Sequence, residues 1–307
     1  MRPLERILAA DAGPYLESAD KLARLELAPR VLGWDVAPAG VAGGVVAQLA
    51  DLGLTEVLGL EELGTERERL ALFLALAAVI AQTGAGIAMA CVVAALTEHL
   101  LGQRTGVGVT IPRPAGLSTA VLTAGERKVL VVGPGGGHFQ MLAAEPAIVP
   151  LLGLRVGGAG VVREALDDGP DDPPAPQHVG VLSRHLQLGA VACAIGSARG
   201  SLDTARAYAE ERHQGGVLIG RHHAVRALLD SMRDGIDHAE VLLSSLLSTP
   251  DVPAHLERSC AERAFALCER AVVDGVQVLG GYGYMQEYGQ EKRMRDVKTL
   301  RLLFLQE

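Results

Sequence analysis

The sequence predicts a mainly α-helical protein with a small β domain in its middle. Hydrophobic residues make up 49% of the 307 residues and aromatic residues only 3%, which favours closely packed helices over aromatic-rich sheets. Apolar residues recur at spacings of three and four towards both ends, whereas β-branched runs broken by Gly and Pro fill the middle. We therefore predict an N-terminal helical domain (1–104), a β domain (105–178) and a C-terminal helical bundle (179–307).

In the N-terminal domain, helices are expected over Leu16–Leu32 and Val45–Leu54. The stretch Leu70–Leu96 is almost wholly apolar and long enough to span a bilayer. However, TGAG (83–86) breaks its centre, and no basic cluster beside it would set an orientation. The pattern favours a buried helical hairpin or a kinked helix, and no membrane span is expected.

In the β domain, strands are expected over Lys128–Val132 and Ala147–Val156, and an acidic, proline-rich loop over 167–176. The glycine-rich segment VVGPGGGHFQ (131–140) indicates a wide hairpin turn. A phosphate loop is the alternative, but the third glycine of GxGxxG is missing and no GK[ST] follows.

Three long helices with short connections are predicted for the C-terminal domain, and they indicate an antiparallel bundle of the four-helix type. They cover Ser183–Arg212, a segment that follows Gly220, and Ala254–Val278.

Bulk properties exclude several classes of function. The formal net charge is -8, so a nucleic-acid partner is not expected. The four cysteines and nine histidines show no CxxC or HExxH spacing, so no metal site is predicted. The N-terminal segment has no apolar core of the signal type, and a cytoplasmic location is expected.

One C-terminal segment concentrates unusual residues. QVLGGYGYMQEYGQEKRMRDVK (277–298) holds three of the five tyrosines of the chain, three closely spaced glycines and a run of charge. By itself this pattern is typical of a helix C-cap, a turn and a solvated helix. Glycines also let a main chain approach a ligand closely.

This segment closely resembles the C-terminal signature of the acyl-CoA dehydrogenase family, with its double Gly, Glu-Tyr and Arg-Asp-x-Lys. RHQGGVLIGRHHAVRALLDSM (212–232) is similar to the family's Arg-x-x-Phe-Gly segment and the helix after it, with Arg212 and Gly216 matching. LELAPRVLGWD (25–35) and LADLGL (49–54) more weakly resemble its first helices. The resemblance covers both helical domains and implies the same order of helices, β domain and helices.

The resemblance implies an FAD-binding protein. In the family, Arg at the position of Arg212 meets the FAD pyrophosphate, and residues at the positions of Gln277, Gly280 and Gly281 meet its adenosine end. The double histidine stands where the family has His-Gln or Phe-Gln, and His223 is included among the expected cofactor residues. In the family these contacts cross a subunit interface, while a carboxylate takes the α-proton of an acyl-CoA and flavin N5 accepts the β-hydride.

The chain departs from the family where the chemistry occurs. Phe304 occupies the usual position of the catalytic Glu, and Leu186 occupies the alternative position early in the first C-terminal helix. Neither side chain accepts a proton. Gln187 replaces the neighbouring Arg of the acyl-CoA site, and IPRPAGLST (111–119) poorly matches the segment that cradles the flavin ring. The β domain is therefore expected to be shortened, and no catalytic residue is assigned.

Three hypotheses follow. The first is a reduced, non-catalytic subunit of a heteromer, such as a heterotetramer, that clamps the FAD of an acyl-CoA dehydrogenase-type partner. Electron-transfer flavoprotein is a further partner that the resemblance implies, with a role in lipid metabolism. The second is a self-sufficient dehydrogenase that uses another carboxylate, such as Glu287, Glu291 or Glu307. The third is a helical scaffold that has lost FAD.

Overall fold

The computed structural model describes residues 4–37, 41–102, 106–113, 116–121, 128–132, 139–143, 153–155, 160–162, 176–249 and 251–305. Helices dominate these residues, and a small sheet separates the two helical regions, so the predicted fold class is confirmed. The α-helices are α1 (Gly13–Leu22), α2 (Val31–Val36), α3 (Val41–Asp51), α4 (Glu66–Leu101), α5 (Pro176–Glu211), α6 (His223–Ser248), α7 (Ala254–Leu279) and α8 (Gln290–Phe304).

The first helices follow the prediction with shifted ends. The helix expected over Leu16–Leu32 is divided into α1 and α2 by a π-helical turn at Ala23–Leu27. The helix expected over Val45–Leu54 is α3, which begins at Val41. Such shifts are ordinary, because sequence patterns locate helices better than they locate helix ends.

Helix α4 begins with a capping box and bends at one glycine. The Thr65 side chain accepts a hydrogen bond from the Glu68 N–H, and the Glu68 carboxylate accepts one from the Thr65 N–H at 2.8 Å. Gly84 has non-helical backbone angles (φ -155°, ψ 100°) and divides α4 into two halves. The predicted break at TGAG is therefore confirmed.

The two halves of α4 lie along α5 in opposite senses. Glycines of α5 allow this close approach, since a methyl group at any of the three would come within 2.0–2.5 Å of an atom of α4. The contacts are Gly196 with Ala78, Gly200 with Gln82 and Gly189 with Val92. Along the first half of α4, the residue numbers of α4 and of its α5 partners rise together. Along the second half, the residue numbers of α5 fall as those of α4 rise. Helix α4 is thus a helical hairpin without a loop. This is the first of the two predicted alternatives, a buried helical hairpin or a kinked helix.

The apolar character of α4 is explained by its position in the core. Among the described residues, α4 is long and apolar enough to cross a membrane, with a mean hydropathy of 2.1 in its most apolar window. However, 83% of that window is buried inside the protein. A core helix of a soluble protein meets the same criteria of length and composition, and the burial favours that interpretation.

The middle of the chain forms a five-stranded mixed sheet with the strand order β4-β3-β1-β2-β5. The strands are β1 (Gly106–Arg113), β2 (Gly116–Val121), β3 (Lys128–Val132), β4 (Phe139–Ala143) and β5 (Gly160–Val162). Strand β3 is the predicted Lys128–Val132 strand, and it pairs antiparallel with β4 from Lys128↔Ala143 to Val132↔Phe139. The hairpin expected around 131–140 is therefore confirmed in its pairing, while its turn lies outside the described residues.

The second predicted strand is wrong where it can be checked. Of Ala147–Val156, residues 153–155 are described, and they do not form a strand. Leu154 has a positive φ of 58°, and its N–H donates to Asp296 Oδ1 of α8 at 2.6 Å. The apolar run that indicated a strand thus includes a leucine that is buried against the C-terminal bundle. The acidic loop 167–176 lies outside the described residues except for Pro176, where α5 begins.

Helices α5 to α8 form the C-terminal bundle. The predicted apolar stripe of α6 is buried, including Met232, Ile236 and Leu243. Helix α7 covers the predicted Ala254–Val278 and one further residue. Each helix buries one face against its neighbours and supplies one wall of the bundle.

The charged run of α8 is buried or half-buried, contrary to the expectation of a solvated helix. Lys292 Nζ lies 2.5 Å from Asp296 Oδ2, and both side chains are at most 3% exposed. Arg295 bonds to Asp35 at 2.7 Å and to Glu291 at 2.6 Å, which ties α8 to α2. These paired charges join the C-terminal bundle to the N-terminal helices, and the attraction within each pair offsets the large desolvation cost of burying its charges.

Candidate functional site

The residue Arg212 is held at the end of α5 by a tight hairpin. After Arg212, β6 (His213–Gln214) and β7 (Val217–Leu218) pair antiparallel around Gly215 and Gly216. Both glycines have positive φ, 62° and 80°, as the turn of a two-residue hairpin requires. The Ile219 N–H donates to the Arg212 carbonyl at 2.8 Å. The main chain on both sides of Arg212 is therefore fixed, while its side chain stays exposed.

The double glycine ends α7. Gly280 takes a positive φ of 61°, which terminates the helix and opens a 3₁₀ turn through Tyr284. A methyl group on Gly281 would meet no atom of this chain within 4 Å. The packing of the described residues therefore does not require a glycine at 281, whereas close approach by a ligand would.

Three tyrosines form a cluster behind this turn. The ring centroids of Tyr208, Tyr282 and Tyr288 lie 5.5–6.1 Å apart in tilted or edge-on pairs, which is a favourable aromatic geometry. The Arg212 guanidinium lies 5.8 Å from the centroid of the Tyr282 ring. This cation–π contact holds the cation in place and leaves its N–H groups available.

The two helix ends enclose an open groove of about 810 Å³. Four of the five predicted cofactor residues line it: Arg212, Gln277, Gly280 and Gly281. These residues come from two segments about 65 positions apart in sequence, brought together because α5 and α7 end at the same end of the bundle. The fifth residue, His223, is the exposed first residue of α6 and does not line the groove.

His222 lines the groove in its place, and its Nε2 lies 3.2 Å from the Gln214 carbonyl. The structure places His222 just before α6 and His223 as its first residue. Sequence reasoning selected His223, because two adjacent histidines give no local signal of which one faces a ligand. It also gave no specific role to Tyr208, which lines the groove from α5.

The groove suits an anionic ligand with an adenosine-like portion. Arg212 forms no ion pair with a described carboxylate, so its guanidinium fork can bind phosphate oxygens. Gln277 is exposed and makes no hydrogen bond to a described residue. The open space at Gly281 allows a ligand to reach the main chain. The residues present therefore fit the diphosphate and adenosine of a dinucleotide such as FAD.

The two positions expected for a base, Leu186 on α5 and Phe304 on α8, hold apolar side chains. Leu186 is 1% exposed, and Phe304 is half-buried at the end of α8. Gln187 Nε2 donates to the Phe304 carbonyl at 3.0 Å, which brings these positions together. Of the alternative carboxylates, Glu291 forms an ion pair with Arg295, and Glu307 lies outside the described residues.

His185, beside Leu186, gives a pH prediction. Its burial and the neighbouring Arg184 and His99 lower its pKa from 6.5 to about 4. Since the unfolded imidazole keeps its ordinary pKa, the unfolded state binds a proton that the folded state does not bind between these values. We expect the free energy of unfolding to fall as the pH falls from about 6.5 to about 4, by on the order of 2 kcal/mol from this residue.

The measurement is urea unfolding of the wild type and His185→Gln at several pH values in that range. The variant should lose this part of the pH dependence, whatever its stability at neutral pH. His255→Gln, at an exposed site on α7, is the control and should keep it. Equal pH dependence in the wild type and His185→Gln would contradict the prediction.

Comparisons with known proteins agree with this geometry. Residues 184–304 match the family model described as "Acyl-CoA dehydrogenase, C-terminal domain". The chain is 35% identical over 119 residues to the probable acyl-CoA dehydrogenase YngJ of Bacillus subtilis (strain 168), covering 38% of this chain and 31% of the relative. It is 31% identical over 116 residues to the caffeyl-CoA reductase-Etf complex subunit CarC of Acetobacterium woodii, covering 37% and 31%. The aligned segments thus span about a third of the length of these relatives.

The fold agrees over nearly the whole chain. Butyryl-CoA dehydrogenase from Megasphaera elsdenii superposes with a TM-score of 0.74 at 16% identity, covering 96% of this chain and 94% of that one. The sequence match covers the bundle that carries Arg212 and the double glycine, and the structural match extends to the N-terminal helices and the sheet. Residues 184–304 therefore match the C-terminal domain of the acyl-CoA dehydrogenases in sequence, and the chain has the acyl-CoA dehydrogenase fold.

Proposed function

We propose that this protein is a reduced, non-catalytic subunit of an acyl-CoA dehydrogenase-type heteromer. In that role it binds the diphosphate and adenosine of an FAD whose flavin ring is held by a catalytic partner chain. When bound, FAD supplies the hydride acceptor for α,β-dehydrogenation of an acyl-CoA thioester. Arg212 would bind the diphosphate, and Gln277 with the turn at Gly280 and Gly281 would bind the adenosine end.

The observation that carries the proposal is a contrast within one chain. The groove has a guanidinium, that of Arg212, with no ion-pair partner among the described residues, and an open approach to the main chain, while the expected base positions Leu186 and Phe304 offer no proton acceptor. A dehydrogenase that worked alone would need both a cofactor groove and a catalytic base. A subunit that completes the cofactor site of another chain needs only the groove.

The length of α5 supports the use of two chains. Leu186 lies in the first third of α5 and Arg212 directly follows its last residue, so the two are about 40 Å apart at 1.5 Å per residue. A dinucleotide does not span that distance. A cofactor bound at Arg212 therefore cannot react beside Leu186 of the same chain, which supports a reacting end that lies against another protein chain.

Electron-transfer flavoprotein is the electron acceptor that we propose for the complex. The name of the relative CarC places it in a complex with Etf, and this chain shares 31% identity with CarC over 116 residues. The partner subunit would be a full-length acyl-CoA dehydrogenase that carries its own base. The proposal also includes a cytoplasmic location and a role in lipid metabolism.

The direct test is to purify this chain alone and together with a full-length acyl-CoA dehydrogenase encoded beside it. We expect the two chains to co-purify. Both the flavin absorption at about 450 nm and the acyl-CoA oxidation should be found only in the complex. If the chain alone holds stoichiometric FAD and oxidises acyl-CoA, the second hypothesis is correct instead. If the complex forms without flavin, the chain is a scaffold that has lost FAD.

Arg212→Ala is the sharper probe of the groove. We expect it to weaken FAD retention by the complex about 10–100-fold, since hydrogen bonds to a charged group contribute roughly 1.5–3 kcal/mol. Flavin release on dilution, followed by fluorescence, measures the change. Arg226→Ala removes an equal charge from an exposed site on α6 that does not line the groove, and should leave retention unchanged. Equal retention by both variants would exclude Arg212 from the cofactor site.

A further inference from the structure

A second cleft lies at the other end of α5 from the groove. It has a volume of about 300 Å³ and is formed by the start of α4, the start of α5 and the end of α6. Three buried leucines, Leu70, Leu246 and Leu247, give it an apolar wall. Arg67, Arg184 and His185 also line it. The cleft therefore joins a hydrophobic surface to a group of cationic and hydrogen-bonding side chains.

The polar side chains of this cleft have N–H donors that form no hydrogen bond with the described residues. Arg67 is exposed and forms no ion pair with a described residue. Arg184 donates from Nε to both carboxylate oxygens of Glu257, at 2.9 and 3.0 Å, and its terminal nitrogens donate to no described residue. The His185 imidazole likewise has no hydrogen-bond partner among the described residues. Arg184 is paired with Glu257, and Glu66 and Arg67 carry opposite charges, so these four groups have no net charge. What the cleft offers an anion is therefore the free N–H donors of Arg67 and Arg184.

This cleft is separate from the sites described above. Arg212 is about 40 Å away along α5. Gln187, which contacts the end of α8, lies two positions after His185, so the two side chains point about 200° apart around the helix. His185 thus faces α4 and α6, whereas Gln187 faces α8.

We propose that this cleft binds a small monocarboxylate with an apolar tail. The carboxylate would accept hydrogen bonds from Arg67 and Arg184, since guanidinium groups bind carboxylates in a bidentate geometry. The tail would lie on the three leucines, where each buried methylene adds affinity. A volume of about 300 Å³ is at the lower end of the range for small-molecule sites and suits a chain of about eight carbons.

The test is calorimetric titration of the full chain with octanoate, acetate and inorganic phosphate. We expect one octanoate site and at least about tenfold weaker binding of acetate, which lacks the tail. Phosphate should also bind more weakly than octanoate. Arg67→Gln should weaken octanoate binding about tenfold, because it removes an exposed cation without disturbing an ion pair. Arg226→Gln, at the other end of the bundle, should bind octanoate as the wild type does.

A proton readout tests whether the carboxylate sits beside His185. The charged or titratable groups around this imidazole are Arg184 on its own helix and Glu66, Arg67 and His99 on α4. An anion beside an imidazole favours its protonated form, so octanoate binding at about pH 6 should take up protons, measured as a buffer-dependent heat. His185→Gln should remove that uptake. The proposal is overturned if octanoate does not bind, if phosphate binds equally well, or if Arg67→Gln changes nothing.

Discussion

Asp296→Asn is expected to lower the free energy of unfolding by about 3–5 kcal/mol. The substitution keeps the shape of the side chain and an oxygen that can accept from the Leu154 N–H, but it removes the charge beside Lys292. Lys292 would then be a buried cation without its counterion, which is far more costly than a buried pair. Urea unfolding at neutral pH measures the loss, and the melting temperature should fall by roughly 10 °C.

Two further variants isolate the cause. Lys292→Met combined with Asp296→Asn removes both charges, so the double variant should be more stable than Asp296→Asn alone. Asp230→Asn breaks an ion pair with Arg233 in which both side chains are about half exposed, and it should cost less than about 1 kcal/mol. If Asp296→Asn is as mild as Asp230→Asn, the buried pair does not hold α8 as described.

Gly196→Ala is expected to cost at least about 3 kcal/mol, at the upper end for overpacking. Its added methyl group would lie 2.0 Å from the Ala78 carbonyl oxygen, and both this oxygen and the Cα that carries the methyl group belong to main chains inside helices. Neither can move without separating α4 from α5, because close-packed interiors transmit such strain. Thermal unfolding followed by circular dichroism measures the effect.

Gly235→Ala is the matched control, because Gly235 also lies inside a long helix. A methyl group there would meet its nearest atom, the Leu267 carbonyl oxygen, at an ordinary 3.7 Å. Replacing a helical glycine with alanine should then stabilise the protein by up to about 1 kcal/mol. Opposite signs for the two variants would confirm that close helix contact, not glycine itself, makes position 196 sensitive. Equal effects would contradict it.

The sequence predicted the elements whose signals are local. The apolar stripe of α6, the strand Lys128–Val132 and the break in α4 each follow from periodicity or from a breaker within a few residues. The grouping of the expected cofactor residues around one groove was also foreseeable, because the resemblance places Arg212 and the double glycine in one ligand site.

What the sequence could not predict depends on distant partners. The run around Lys292 was expected to be solvated, yet Arg295 bonds to Asp35, a residue 260 positions earlier in the chain. The leucine at 154 was assigned to a strand, yet its N–H bonds to Asp296 across 142 positions. A charge pattern by itself does not reveal whether a helix meets water or another helix, since that is decided by tertiary packing.

The loopless reversal in α4 has a consequence for synthesis of the chain. Because no polar loop separates its two halves, α4 leaves the ribosome as one continuous segment whose most apolar window has a mean hydropathy of 2.1. Its partner α5 is encoded much later in the chain and is not yet available to cover it. During that interval the nascent segment is hydrophobic enough to aggregate or to partition into a bilayer. Chaperone capture of the nascent chain is therefore expected to govern its soluble yield.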